Sequence, residues 1–155
     1  MSKTITEFED RAPRGDPGIG GLPPNDGVDT NVLVRIFASD DAQQAASAIR
    51  VIDESEPHQI FVNVVVLAEF AWTMRRAYKW EDDWIRHALT RIVRHPALTI
   101  QHRASVLEAI TDSNTSIHLF ADRLIAALNL DAGCETTLTF DQEAASSPGF
   151  RLLKT

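Results

Sequence analysis

From residue 27 onward, short apolar and β-branched runs alternate with longer stretches whose apolar residues recur at helical spacing. That is the pattern of strands alternating with amphipathic helices. Gly27-Val28-Asp29 ends a first short strand, and Val32, Leu33, Val34, Ile36 and Phe37 form a buried segment that turns helical after Asp29. Asp40 is placed to cap a helix over 41–54, with Gln43 at the capping-box position. Ile60-Phe61-Val62 reads as a second strand, and Asn63 as the cap of an apolar helix over 64–78 with Leu67, Phe70, Ala71 and Met74 on one side. A helix over 81–95 starts in Glu81-Asp82-Asp83 and ends in Arg91, Arg94 and His95. That charge order suits the helix dipole, and Pro96 stops the helix. Leu98-Thr99-Ile100 is a third strand, followed by helices over 102–112 and 116–131, the latter closed by Gly133. Thr136–Phe140 is a fourth strand, 142–146 a short helix, and residues near Phe150–Leu153 a last strand.

Alternation of this kind predicts an α/β fold with a parallel sheet covered on both faces. In such sheets function lies at the carboxyl ends of the strands. Two acids fall there: Asp29 directly follows the first strand and Asp141 follows Thr137-Leu138-Thr139-Phe140. Glu69 lies inside the apolar run Val64–Trp72, and Asp122 interrupts Leu119–Ala126. A carboxylate in such a setting is costly unless it is paired or bound to a cation. Gathered in one cleft, four carboxylates repel each other and call for divalent cations. Oxygen-only ligands favour Mg²⁺ or Mn²⁺ over zinc. Each acid also has a plainer role open to it: Asp29 as a helix cap, Glu69 as partner of Arg75 or Arg76, Asp122 as partner of Arg123, Asp141 as a turn or cap residue.

Composition narrows this picture. A chain of 155 residues suits one domain with its own core. A formal charge of -7 argues mildly against a simple nucleic-acid binder, although a cation-chelating site needs carboxylates of its own. The single cysteine, Cys134, excludes an intrachain disulfide framework and a Cys-rich zinc site. The five histidines show no zinc-ligand spacing. Residues 1–26, with Pro13, Pro17, Pro23 and Pro24 among glycines and no apolar periodicity, read as a flexible extension ahead of a domain over 27–155. No run approaches the ~18 apolar residues of a membrane span, and no secretory leader pattern is visible, so the expected location is the cytoplasm.

Taken together the motifs resemble a known family. Gly27–Arg35, Asn63–Trp72, Phe120–Ala126 and Thr139-Phe140-Asp141 are similar, in order and spacing, to the four motifs of PIN-domain toxins, the VapC-like ribonucleases of toxin–antitoxin pairs. The resemblance covers residues 27–153. It implies a three-layer α/β/α sandwich around a mostly parallel five-stranded sheet and Mg²⁺- or Mn²⁺-dependent endonucleolytic cleavage of RNA. It implies Asp29, Glu69 and Asp122 as core metal ligands and Asp141 as a fourth, with Thr139 as an outer hydroxyl and Asn31 in support. It also implies a homodimer restrained by a small antitoxin. The chain departs from the family pattern twice. Pro23-Pro24-Asn25-Asp26 stands where relatives have apolar residues, which predicts a truncated first strand because proline cannot donate to a ladder. Leu119 stands where many relatives carry a further acid, and Asp112 is out of register to replace it.

Arg75, Arg76 and Lys79 follow the Glu69 helix, and Arg86, His87, Arg91, Arg94 and His95 populate the next one, where the spacing of Arg86 and Arg94, with Arg91 close to their face, allows a partial stripe. Such a stripe suits phosphate contact, or equally a solvated face paired with Glu81, Asp82 and Asp83. Trp72, Trp80 and Trp84 suit base stacking, or packing in a core or interface. Two further readings compete. Asp29-Thr30-Asn31 faintly resembles haloacid dehalogenase phosphatases, but those need a second Asp where Asn31 stands. A catalytically weak protein that binds antitoxin or RNA is the other.

Overall fold

The computed structural model describes residues 24–111 and 116–154. Asp112 and residues 1–23, most of the expected extension, lie outside them. The described elements run β1 (Asp26–Gly27), α1 (Thr30–Ala38), α2 (Ala42–Glu54), β2 (Ile60–Val62), α3 (Val64–Arg76), α4 (Asp82–Arg94), β3 (Leu98–Ile100), α5 (Arg103–Thr111), a 3-10 turn (Ile117–Leu119), α6 (Phe120–Asp131), β4 (Thr137–Thr139), a second 3-10 turn (Ala144–Ser146) and β5 (Phe150–Leu152). The alternation expected from the pattern is therefore present. The helix expected over 116–131 begins as a 3-10 turn, and the one over 142–146 is only such a turn.

Among the described residues all pairings are parallel, and the five strands fall into two sheets rather than the one expected. β1, β2 and β3 make one sheet in that order and β4 pairs with β5 in another, with no ladder between β1 and β4 among the described residues. The reason lies at β1. Pro24 has no N–H to give, so pairing with β2 starts at the Asn25 amide, which donates to Gln59 O at 2.9 Å, and ends at Val28, which donates to Phe61 O at 3.1 Å. One residue later Asp29 is already the cap of α1. A strand of two residues offers little edge to a second neighbour.

Side-chain caps fix where the helices start. Asp29 accepts from the Val32 amide at 3.2 Å and Asn63 from the Val66 amide at 3.0 Å. The cap of α2 is Asp41, not Asp40: Asp41 Oδ1 accepts from the Gln43 and Gln44 amides at 3.1 and 2.9 Å. Asp40 is used otherwise. It accepts from the Tyr78 hydroxyl at 2.6 Å and from Arg35 at 2.7 Å, fastening the end of α1 to the end of α3. These two donors, Tyr78 first, hold its carboxyl below the usual range.

One continuous core joins α1–α6 to β2 and β3, with Leu33, Ile52, Leu67, Phe70, Leu89 and Val106 sealed inside. Phe37 and Phe70 meet edge-to-face at 5.5 Å, a favoured aromatic geometry. Packing accounts for only one of the tryptophans: Trp80 lies against the core, whereas Trp72 and Trp84 are exposed. The β4–β5 end is thinly covered, and Leu138 and Phe140 are 52% and 67% exposed. Among the described residues no helix is long and apolar enough to cross a membrane.

Candidate active site

Each of the four acids stands on an element that fixes its backbone. Asp29 links β1 to α1, Glu69 lies in the middle of α3, Asp122 in the first turn of α6, and Asp141 just past β4. Asp29, Glu69 and Asp141 are exposed and Asp122 is half-buried. The capping role open to Asp29 and Asp141 is real in both. Asp29 Oδ1 accepts from Val32, and Asp141 Oδ1 accepts from the Glu143 and Ala144 amides at 2.7 and 3.2 Å. A carboxylate has two oxygens, so a cap that uses Oδ1 orients the group and leaves Oδ2 for a ligand. Thr139 reinforces this at Asp141, its hydroxyl oxygen accepting from the Asp141 amide at 2.9 Å. Asn31, in the first turn of α1, is exposed beside Asp29.

The arginine partnership open to Glu69 is not its observed contact. Arg75 pairs with Asp82 at 2.5 Å, and the Arg76 guanidinium lies over the Trp72 ring at 5.9 Å. Instead the Thr30 hydroxyl donates to Glu69 Oε2 at 2.5 Å. Thr30 is buried and directly follows Asp29, so this bond ties Glu69 to the start of α1. The arginine beside Asp122 points elsewhere too: Arg123 donates to Ala109 O at 2.7 Å.

Asp122 faces different neighbours. Burial, then the negative charges of Asp141 and Glu143, push its carboxyl above the usual range, against a smaller opposing pull from His118. The acids thus stand in two groups. One is Asp29 with Glu69, bound through Thr30; the other is Asp122 with Asp141 and Glu143. By donor chemistry the residues fit a hard divalent cation: the candidate ligands are all carboxylate oxygens, and the negative charges beside Asp122 are what such an ion would offset. Among the described residues, however, no three His, Cys, Asp or Glu side chains are grouped so that they could hold one ion.

Several site neighbours escaped the sequence pattern. Thr30 carried a faint signal, a hydroxyl at the helix start next to a candidate acid. His118 and Glu143 carried none, because 25 residues separate them and only the fold brings them together. The basic stripe is partly spent inside the protein. Arg86 donates to Ile110 O, Arg91 lies 5.8 Å over the Phe37 ring, and His95 is buried with Nδ1 accepting from the Ala97 amide. A cavity of about 330 Å³ lies between α5, α6 and the amino ends of β4 and β5, lined by Ala109, Leu130, Thr137 and Ser147 among others. It contains none of the four acids and lies at the opposite end of β4 from Asp141.

The geometry defines a class: a parallel α/β protein with carboxylates at and beside the carboxyl ends of its strands. Within that class the model of the PIN domain family matches residues 28–148. The match spans most of the chain and all four acids, and the chain belongs to the PIN domain family. No curated protein and no solved structure gives a significant match. The fold is thus of a nuclease type, and PIN domains are typically metal-dependent hydrolases of phosphodiester bonds.

Proposed function

We propose that this protein is an endoribonuclease dependent on Mg²⁺ or Mn²⁺, acting through Asp29, Glu69, Asp122 and Asp141 as the toxin of a toxin–antitoxin pair. The observation that carries the reading is the pairing of anions at Asp122. A half-buried carboxylate set beside Asp141 and Glu143 is unfavourable for the fold alone, and it makes sense as a cation site. In this reading the carboxylates of Asp29, Glu69, Asp122 and Asp141 would hold the cation. When bound, such an ion polarises the phosphodiester and lowers the pKa of an attacking water. The chain's own residues do the positioning. The capped Oδ1 atoms of Asp29 and Asp141 fix their second oxygens, Thr30 holds Glu69, and Thr139 holds the Asp141 backbone. The homodimer and the small antitoxin belong to the same proposal, supported by the motif order alone.

The experiment is cleavage of structured RNA with Mg²⁺ or Mn²⁺, with and without EDTA, by the wild type and Asp29→Asn. Cleavage only by the wild type with free metal is expected; equal activity in every condition would sink the reading. One observation favours a second reading, a PIN-fold protein that binds antitoxin or RNA without cutting: the separation of the acids into two groups. Absence of any rise in thermal midpoint with Mn²⁺ would support it.

A further inference from the structure

A hydrogen-bonded chain crosses four elements and ends beside Asp122. Arg75 at the end of α3 donates to Asp82 Oδ1 at 2.5 Å. Asp82, at the start of α4, accepts on Oδ2 from the Ser116 hydroxyl and from the Ile117 amide. Ser116 Oγ is 2.5 Å from His118 Nδ1. His118 Nε2 is 2.6 Å from Glu143 Oε1. The Glu143 amide in turn donates to Asp141 Oδ1.

The protons in this chain can be counted. Ser116 has one hydroxyl proton, and it goes to Asp82, so toward His118 its oxygen can only accept. His118 thus sets one ring nitrogen against each neighbour, Nδ1 against Ser116 and Nε2 against Glu143, and the two contacts together fix the ring. The place of Glu143 also answers a departure in the motif. Leu119 occupies the position where an acid was expected, and its side chain is buried. A carboxylate there would be forced toward the core, whereas Glu143 reaches the same neighbourhood from beyond β4.

We propose that His118 is a positioning residue of this site, holding the Glu143 carboxylate against the Asp122–Asp141 pair so that Glu143 serves as the acid missing at Leu119. The purpose assigned here rests on the nuclease reading above, while the His118–Glu143 contact does not. It extends the carboxylate set beyond the four motif acids with a residue that none of the motifs contains.

Two measurements test it. The first needs no metal: long-range proton–nitrogen NMR of the His118 ring in the wild type, Glu143→Gln and Ser116→Ala. Glu143→Gln is expected to move the Nε2 signal and Ser116→Ala the Nδ1 signal. A His118 spectrum indifferent to Glu143→Gln overturns the proposal outright. The second is Mn²⁺ affinity by calorimetry. Glu143→Gln and His118→Ala should each weaken Kd by about tenfold, the usual scale for a supporting partner of a ligand. The double variant should be no weaker than Glu143→Gln alone, because His118 acts only through Glu143. His118→Gln, which keeps one donor, should recover part of the loss. If the wild type binds Mn²⁺ and Glu143→Gln binds equally well, this proposal falls and the nuclease reading stands. If the wild type binds no Mn²⁺, the nuclease reading falls and takes with it the role assigned to Glu143, leaving only the contact seen by NMR.

Discussion

The two halves of the molecule are built to different standards. In the β1–β3 half, two ladders run through β2, whose Ile60 and Val62 are buried, and α3 buries Leu67, Phe70 and Met74 in the same core. In the β4–β5 half one ladder stands apart, with Leu138, Phe140 and Leu152 turned substantially to solvent. The acids divide in the same way, Asp29 and Glu69 on the well-packed half and Asp122, Asp141 and Glu143 around the other. Rigidity is thus supplied to the first group by the core, and to the second by side-chain bonds: Thr139 and the Glu143 amide at Asp141, and His118 at Glu143. The proposed site, set across one packed and one bonded half, has its weakest joint where β1 and β4 share no ladder.

The strongest test of this contrast removes a core side chain from the packed half. Leu67 is fully buried on α3, two residues before Glu69. Leu67→Ala should cost about 2–5 kcal/mol, the lost transfer energy plus the cavity left behind, as measured by urea denaturation. A cost under about 1 kcal/mol would mean that this half is far looser than its packing implies. Next in size is the cap of the same helix. Asn63→Ala frees the Val66 amide and should cost about 1 kcal/mol, again read from the denaturation midpoint. By contrast α6, which carries Asp122, starts at Leu119 with no side-chain cap bond to lose.

Asp122 gives a test with the opposite sign. Its folded pKa lies above its unfolded one, because of burial first and then Asp141 and Glu143. The folded protein therefore holds that proton more tightly. Ionised Asp122 subtracts stability at pH values above the folded pKa, and the loss disappears as pH falls through it. Asp122→Asn should raise the thermal midpoint at pH 7 in EDTA by about 1–3 °C and leave it nearly unchanged at a pH below both pKa values. Adding Mg²⁺ should raise the wild type and not the variant. A lower midpoint for the variant at pH 7 would mean that Asp122 is stabilised by a partner rather than strained by its neighbours.

Much of the fold was legible because periodicity reports burial, and burial was regular in the first half. The strands at Ile60–Val62 and Leu98–Ile100 and the cap at Asn63 stand where the pattern put them. The acids were legible as interruptions of apolar runs, and Pro24 foretold the short β1. What was not legible depended on contacts distant in sequence. Asp41 rather than Asp40 caps α2, because Tyr78, 38 residues beyond Asp40, claims the Asp40 carboxylate together with Arg35. The break between β1 and β4 is a failure of strand pairing, to which a run of β-branched residues is blind. The Thr30–Glu69 bond and the His118–Glu143 pair lie 39 and 25 residues apart and follow no local rule.

The smallest expected effect is the most informative about the joint between the halves. Leu138, central in β4, carries the same side chain as Leu67 but is 52% exposed. Side chains alternate across a strand, so Thr137 and Thr139 face the other side and Leu138 belongs to the uncovered face. Leu138→Ala should then change stability by no more than about 0.5 kcal/mol, as surface substitutions do. The pairing with Leu67→Ala keeps the chemistry constant and varies only the cover. If Leu138→Ala instead costs about 2 kcal/mol or more, as a buried leucine does, the face of β4 lies under cover in solution and the contrast between the halves fails.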